Sequence, residues 1–151
     1  MYIQIDDLTD GKVEALLESH LAQMQKYSPV ESIHALDKQK MRSSGITFWS
    51  ARLNGDVMGC GALKQIDETS AELKSMKTAS NYLRMGVAES LLKEILAVAE
   101  QRGYKSIYLE TGSNEAFLPA VKLYQKYGFI ECGPFAEYQP DPYSRFFNRI
   151  S

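Results

Sequence analysis

The stretch Glu72-Leu-Lys-Ser-Met-Lys-Thr-Ala-Ser-Asn-Tyr-Leu-Arg-Met-Gly-Val-Ala-Glu-Ser-Leu-Leu92 predicts a strand, a tight loop ending at Gly86 and a long amphipathic helix. The helix is predicted because apolar residues recur with a period of about 3.6 residues on one face. These residues are Ala88, Leu91, Leu92, Ile95 and Ala99. Gly103 is expected just past the helix end, where a left-handed backbone is common.

The loop before this helix has features of a phosphate-binding site. A helix N-terminus leaves backbone N–H groups unpaired and carries partial positive charge. Gly86 allows close backbone approach, Ala88 adds little bulk, and Arg84 places a cation beside the same site. On this stretch alone, a turn glycine before an ordinary helix explains Gly86 equally well, since short glycine patterns are weak signals.

In the strand before the loop, the apolar residues switch from odd-numbered to even-numbered positions, and so from one face of the strand to the other. Ala71 and Leu73 share one face, but the next large apolar residue, Met76, has the opposite parity. Such a switch predicts a bulge, which leaves backbone groups unpaired. A long ligand that contains amides is expected to pair with this strand edge as an added strand would.

Composition narrows the classes of protein to which the chain can belong. The length of 151 residues predicts a single domain, 1–151. The net charge of −2, with no Lys/Arg cluster, argues against nucleic-acid binding. No apolar run approaches the roughly 18–20 residues of a membrane span, and residues 1–7 do not resemble a signal peptide, so no membrane partner and a cytoplasmic location are expected. Cys60 and Cys132 are expected to be reduced thiols.

The remaining segments alternate between strand and helix patterns. Asn54-Gly55 predicts a hairpin between two strands, and small residues at 59–61 in the second of these predict close packing there. Strands are predicted at residues 2–6, 46–53, 57–66, 106–110 and 145–150. A further strand is predicted to begin at residue 129. Helices are predicted after Thr9 or Asp10, and from about Phe117 to Gly128.

Two motifs carry a family resemblance. Arg84-Met-Gly-Val-Ala-Glu-Ser-Leu-Leu92 and Lys122-Leu-Tyr-Gln-Lys-Tyr-Gly-Phe129 lie either side of the 106–110 strand. The first is similar to the pyrophosphate loop of the GNAT superfamily of N-acetyltransferases, Gln/Arg-x-x-Gly-x-Gly/Ala followed by paired leucines. The second is similar to that family's signature ending in Tyr-x-x-x-Gly-Phe. The resemblance covers about residues 46–130 well and the N-terminal part loosely.

The motifs also depart from the family pattern. Leu83 occupies the family's Gln/Arg position, and the basic residue comes one place later, at Arg84. Phe117 occupies the position where the family often has an asparagine, and Asn114 lies three residues upstream. Backbone amides carry most of the phosphate contact in such loops, so phosphate binding is expected to survive the first departure.

The resemblance implies an α/β fold of the α+β type: a central mixed, mostly antiparallel twisted sheet of about 6–7 strands with about 4 helices. It implies acetyl-CoA as the acetyl donor and no metal. The pantetheine arm is expected along Lys74, Ser75 and Met76, with Met76 N–H as the acyl-oxygen donor. The other expected coenzyme contacts are Arg84, Met85, Gly86, Val87, Ala88, Glu89, Asn114 and Tyr124.

The resemblance also implies direct attack by an amine in a ternary complex. An amine with a pKa near 10 is almost fully protonated at neutral pH, so a general base is needed. Glu110 is the first candidate for this base, because strand ends line ligand crevices, and Glu72 is the second. Tyr124 is expected to protonate the departing thiolate, although a tyrosine that only packs in the core remains the alternative.

The acceptor is expected to be a small-molecule amine, and the mild negative charge weakly favours a cationic one. His34, Tyr138 and Tyr143 are candidate substrate contacts. The aromatic-rich segment 135–147 is compatible either with a cover over the acceptor or with a homodimer contact. A non-catalytic acyl-CoA-binding module and acetylation of a protein amine remain alternatives. No Gly-x-Gly-x-x-Gly supports an oxidoreductase, and the scattered His and Cys residues have no metal-ligand spacing.

Overall fold

The structure, a computed structural model, describes residues 1–24 and 45–151. Seven strands form one sheet in the order β1-β2-β3-β4-β5-β7-β6. They are β1 (Tyr2–Asp6), β2 (Ile46–Leu53), β3 (Asp56–Gln65), β4 (Ser70–Thr78), β5 (Ser106–Gly112), β6 (Ile130–Cys132) and β7 (Ser144–Ile150). Among these strands β4 and β5 are the parallel pair, and the other neighbours are antiparallel. The predicted mixed, mostly antiparallel sheet is confirmed.

Three α-helices accompany the sheet in the described residues, whereas about four were predicted. They are α1 (Lys12–Met24), α2 (Val87–Gln101) and α3 (Leu118–Lys126). α2 forms the crossover between the parallel strands β4 and β5. Gly103, with φ of 85°, follows α2 in the left-handed conformation expected there.

The two faces of the sheet carry separate cores. On the α1 face, side chains of β2 and β3 pack against α1; this cluster contains Leu8, Val13, Leu17, Phe48, Cys60 and Ala62. On the α2 face, a larger core joins the sheet to α2 and α3. The buried residues of α2 are Val87, Leu91, Leu92, Ile95, Leu96 and Ala99. Val87 is therefore buried in place of Ala88, which the sequence analysis assigned to the apolar face and which is half-buried.

The glycines of β3 let α2 approach the sheet. A Cβ added at Gly61 would lie 2.5 Å from Met76 Sδ and 2.8 Å from Ile95 Cδ1. A Cβ added at Gly59 would lie 2.8 Å from Val87 Cγ1 and 2.9 Å from the Lys77 carbonyl oxygen. These distances are shorter than van der Waals contact, which confirms the close packing that the small residues predicted.

Gly59→Ala is expected to destabilise the protein by about 2 kcal/mol, because the Lys77 backbone cannot move aside as a flexible side chain can. The melting temperature should fall by roughly 4–8 °C. Gly133→Ala is the matched control, since a Cβ there meets no atom within 4 Å. Thermal unfolding followed by calorimetry measures both variants. Equal melting temperatures for the two variants would contradict the packing of α2 on Gly59.

Candidate functional site

Strands β4 and β5 pair over only their first three residues. The register matches Ser70, Ala71 and Glu72 with Ser106, Ile107 and Tyr108. β4 continues to Thr78 and β5 to Gly112 without further pairing to each other. The backbone edges that face each other beyond Glu72 are therefore not used by the ladder, and a cleft opens in the middle of the sheet, here called the β4–β5 cleft.

One wall of the β4–β5 cleft is a bulge. Lys74 pairs with Ala62 and Lys77 with Cys60, so β4 has one residue more than β3 over this interval. Ser75 lies in this bulge with φ of 60°, and its buried hydroxyl has no hydrogen-bond partner. The bulge that the parity switch predicted is confirmed. Ser75 and Met76 have no register partner in β3, and the Ser75 carbonyl accepts a hydrogen bond from Cys60 Sγ at 3.3 Å.

The loop from Leu83 to Gly86 leads from β4 into α2. Gly86 adopts φ of 80° as the residue that precedes the helix, and Arg84 adopts φ of 62°. Leu83, Arg84, Met85 and Gly86 are all exposed. The first N–H groups of α2 have no partner within the helix, so this end of α2 can accept an anion. Burial of the Val87 side chain in the core fixes the position of the helix end.

Glu89 in the first turn of α2 has its side chain tied to α3. Its Oε2 accepts hydrogen bonds from Lys126 Nζ and Tyr127 Oη, each at 2.7 Å. These bonds, with Lys126 contributing most, lower the pKa of the Glu89 carboxyl. The carboxylate is thereby held by α3, and of Glu89 only the backbone N–H remains for a phosphate.

Tyr124 lies on the buried side of α3. Its side chain is 7% exposed and packs edge-to-face on Phe129, with ring centroids 5.8 Å apart. It belongs to the same buried cluster as Leu109 of β5 and Val87 of α2. Burial raises the pKa of the Tyr124 hydroxyl above its usual value, so this group keeps its proton at neutral pH.

Asn114 begins the 3₁₀ turn that precedes α3. Its Oδ1 accepts a hydrogen bond from Ala116 N at 3.0 Å, which caps the turn. The side-chain oxygen therefore has a structural partner, and the amide N–H₂ group is what Asn114 could present to a ligand.

Two carboxylates lie on the α1 face next to the point where the strands separate. Glu72 is 4% exposed, and its Oε2 accepts a hydrogen bond from Tyr138 Oη at 2.6 Å. Glu110, two residues beyond the last paired residue of β5, accepts a hydrogen bond from Ser144 Oγ at 2.8 Å. Burial foremost, then the charges of Glu72 and Glu110, raise the pKa of the Tyr138 hydroxyl. The Tyr138 hydroxyl is held at the Glu72 carboxylate by this hydrogen bond.

The segment between β6 and β7 covers this part of the α1 face with aromatic rings. Phe135 packs on Tyr108, Tyr138 and Phe146, with ring centroids 5.0, 5.0 and 5.9 Å apart. Tyr143 is exposed, and its carbonyl accepts a hydrogen bond from Ser113 N at 3.1 Å. Of the predicted substrate contacts, Tyr138 thus lies beside the carboxylates and Tyr143 at the rim. His34 lies outside the described residues.

Features elsewhere in the described chain can be compared with the β4–β5 cleft. A shallow cavity of about 480 Å³ lies against β1 and β2 near Arg102, two strands away from the β4–β5 cleft. Within residues 1–24 and 45–151, no group of three or more His, Cys, Asp or Glu residues could hold a metal ion. None of the helices in those ranges has both the length and the apolar composition to span a membrane.

The sequence analysis predicted the bulge, which the structure confirms, and named the loop and Tyr124 as candidate site residues. It missed the separation of β4 and β5 and the hydrogen bond between Tyr138 and Glu72. The only signal for the separation was the length of β4 beyond Leu73, which does not show how far β5 follows it. Tyr138 and Glu72 are 66 residues apart, and no local pattern pairs residues at that distance.

The sequence model of the acetyltransferase (GNAT) family matches residues 13–129. The chain belongs to this family. Its acetyltransferase motifs, the Gly86 loop and the Tyr124–Phe129 signature, both lie within the matched range. The family resemblance is confirmed, and the chain is an acyltransferase of the N-acetyltransferase type.

Relatives extend the likeness over the whole chain. The uncharacterised N-acetyltransferase YsnE of Bacillus subtilis is 50% identical over 149 residues, which is 99% of each chain. A proposed acyl-CoA N-acyltransferase from Klebsiella pneumoniae has a similar structure, with a TM-score of 0.79, 28% identity, and 99% and 96% of the two chains covered. A GNAT acetyltransferase from Elizabethkingia anophelis with acetyl-CoA bound shares the fold, with a TM-score of 0.70, 18% identity, and 99% and 97% covered.

Proposed function

We propose that this acetyltransferase moves the acetyl group of acetyl-CoA to the amine of a small molecule, by direct attack in a ternary complex. The observation that carries the proposal is the β4–β5 cleft, which has a bulged strand on one side and the start of α2 at the end of the same strand. An extended amide chain that ends in a pyrophosphate matches these two features.

The proposed coenzyme site follows from the backbone. The pantetheine amides pair with the edge of β4 at Lys74, Ser75 and Met76, beyond the last residue of β4 that pairs with β5. The pyrophosphate lies on the N–H groups of residues 84–89, which include Gly86 and the first turn of α2. The Arg84 side chain adds a cation at the rim, and the Asn114 amide contacts the coenzyme from the start of the α3 segment.

The proposed chemistry needs one group that accepts a proton and one that donates a proton. Glu110 takes a proton from the amine, directly or through water, because it is half-buried on the strand edge that faces the cleft. Tyr124 protonates the departing thiolate, since a tyrosine hydroxyl carries its proton at neutral pH. Met76 N–H, in the bulge, donates to the acyl oxygen.

Glu72 is the second candidate for the base, and its contacts favour a supporting role. It is more buried than Glu110, and its Oε2 already accepts the Tyr138 hydroxyl hydrogen. We propose that Glu72 holds Tyr138 against the acceptor side of the cleft. Tyr143 and His34 complete the proposed set of acceptor contacts.

Calorimetric titration with acetyl-CoA, followed by a thiol-release assay with a panel of amines, tests the proposal. Micromolar coenzyme binding together with amine-dependent thiol release supports acetyl transfer. Binding without release for any amine would leave a non-catalytic acyl-CoA-binding module. Thiol release that occurs only with protein amines would show that the acceptor is a protein and not a small molecule. Absence of acetyl-CoA binding would contradict the proposal.

Glu110→Gln is expected to lower kcat at neutral pH by roughly 100-fold, because general-base catalysis contributes about 10²–10⁴-fold. The dissociation constant for acetyl-CoA should not change. Activity should recover as the pH rises, since a larger fraction of the amine is then deprotonated in solution. Glu131→Gln is the matched control, because this exposed carboxylate pairs with Arg145 on the outer strands. An unaltered pH–rate profile in Glu110→Gln would assign the base elsewhere.

Broader expectations belong to the same proposal. We propose a single catalytic domain over residues 1–151, acting in the cytoplasm, with no nucleic-acid or membrane partner and no metal requirement. We propose further that segment 135–147 covers the acceptor; Tyr138, bound to Glu72, supports this role. Size-exclusion chromatography with light scattering tests the alternative, in which the same segment forms a homodimer contact.

A further inference from the structure

Two lysines of β4 share the face that carries the two carboxylates. Lys74 is opposite Ala62, and Lys77 is opposite Cys60; both partners belong to the core of the α1 face. In a regular strand, residues three apart point to opposite faces. The extra residue of the bulge cancels this alternation, so both ammonium groups project from the α1 face.

Lys74 is placed to meet a ligand. It is half-buried and follows Glu72 on the same face, one residue before the bulge that forms the cleft wall. No ion pair joins Lys74 to another residue in the described part of the chain. A half-buried ammonium beside a cleft is a site for an anionic group, because desolvation strengthens its attraction to an opposite charge.

Lys77 adds a second cation further along β4. It is half-buried beside Cys60, and burial lowers the pKa of its ammonium while the Cys60 thiol opposes this shift. The α1 face at the cleft is therefore divided, with carboxylates at Glu72 and Glu110 and ammonium groups at Lys74 and Lys77.

From this division of charge we infer that the acceptor is an amino acid, with a carboxylate close to the amine that becomes acetylated. The inference rests on the acetyl transfer proposed above. The amine lies at Glu110, and the carboxylate lies at Lys74, with Lys77 contributing at longer range. Lys74 and Glu110 each lie two residues beyond the last paired position of their strands, Glu72 of β4 and Tyr108 of β5. Because alternate residues of a strand share a face, the two side chains flank the opening of the cleft on the α1 face.

The transfer balances without another reactant. The acceptor ammonium loses a proton to Glu110, and its nitrogen forms a bond to the acetyl carbonyl carbon while the carbon–sulfur bond breaks. The nitrogen then loses a second proton, and the thiolate gains one through Tyr124. The products are an N-acetylamino acid, coenzyme A thiol and one proton released to solvent. The acceptor carboxylate is unchanged throughout, so Lys74 acts in binding only.

The test compares amino acids with their primary amides, which keep the amine and side chain but lack the negative charge. Thiol release is measured with both sets for the wild type, Lys74→Gln, Lys74→Arg and Lys64→Gln. Lys64 is the control because it is exposed on the neighbouring strand β3, opposite Glu72. Calorimetric titration with acetyl-CoA checks that each variant still binds the coenzyme.

The wild type should prefer at least one amino acid over its amide by more than tenfold in kcat/KM. Lys74→Gln should raise KM for that amino acid at least tenfold more than it raises KM for the amide, and Lys74→Arg should restore most of this difference. Equal efficiency with amides, or equal losses for both acceptors in Lys74→Gln, overturns the inference but leaves acetyl transfer intact. No turnover with any amine overturns both.

Discussion

Tyr124→Phe is expected to lower kcat by well over tenfold while the dissociation constant for acetyl-CoA stays nearly the same. The substitution removes one hydroxyl and keeps the ring that packs on Phe129, so the core around α3 should persist. The proposed role of the hydroxyl is to protonate a leaving thiolate, and general acid–base groups contribute about 10²–10⁴-fold. Single-turnover thiol release at saturating acetyl-CoA measures the chemical step directly.

Tyr104→Phe is the matched control for this prediction. Tyr104 is also buried in the core of the α2 face, but it lies two residues before β5, away from the separated ends of β4 and β5. Its rate and melting temperature should stay close to wild type. An unchanged rate in Tyr124→Phe would remove this hydroxyl from the mechanism and leave Tyr124 as a packing residue. The raised pKa of Tyr124 also means that a loss of rate at moderately alkaline pH should not come from its ionisation.

Gly86→Glu is expected to weaken acetyl-CoA binding by at least about 100-fold. A side chain at Gly86 would enter open space, because a Cβ there meets no atom within 4 Å. Loss of binding would therefore not come from a collision within the protein. It would come from a carboxylate held where the pyrophosphate should lie, and from strain at φ of 80° that shifts the first N–H groups of α2. Calorimetric titration gives the affinity.

Gly103→Glu separates these causes from general destabilisation. Gly103 is exposed at the other end of α2 with φ of 85°, so the same residue imposes similar backbone strain and the same charge far from the cleft. Both variants should lose comparable stability, of order 1–3 kcal/mol, and only Gly86→Glu should lose the coenzyme. The affinity of Gly86→Ala for acetyl-CoA should lie between the affinities of these two variants, because alanine introduces the backbone strain at position 86 without the negative charge. Wild-type affinity in Gly86→Glu would place the pyrophosphate elsewhere.

The net charge of −2 weakly favoured a cationic acceptor, and the arrangement of side chains leads to a different inference. Net charge averages over the whole surface, whereas recognition depends on the few groups that line a site. Around the β4–β5 cleft those groups are two carboxylates and two lysines on the same face of the sheet.

Most elements of secondary structure could be predicted from the sequence because their signals are local. The predicted strand 46–53 matches β2, and the predicted end of α2 at Gly103 agrees with the structure. The predicted apolar face of α2 was wrong by one residue at its start, where Val87 is buried and not Ala88. The reason is that the packing of Val87 on Gly59 depends on the position of β3.

The sequence by itself determined the glycine loop, the α2 apolar period, the parity switch at Met76 and the tyrosine motif, since each depends on residues within a few positions of one another. Only the tertiary structure decided that β4 and β5 separate after Glu72, that Tyr138 reaches Glu72 and that Lys74 and Lys77 share a face. The physical reason is that these features depend on strand pairing and side-chain packing between distant segments. Neither propensity nor periodicity within one segment records such contacts.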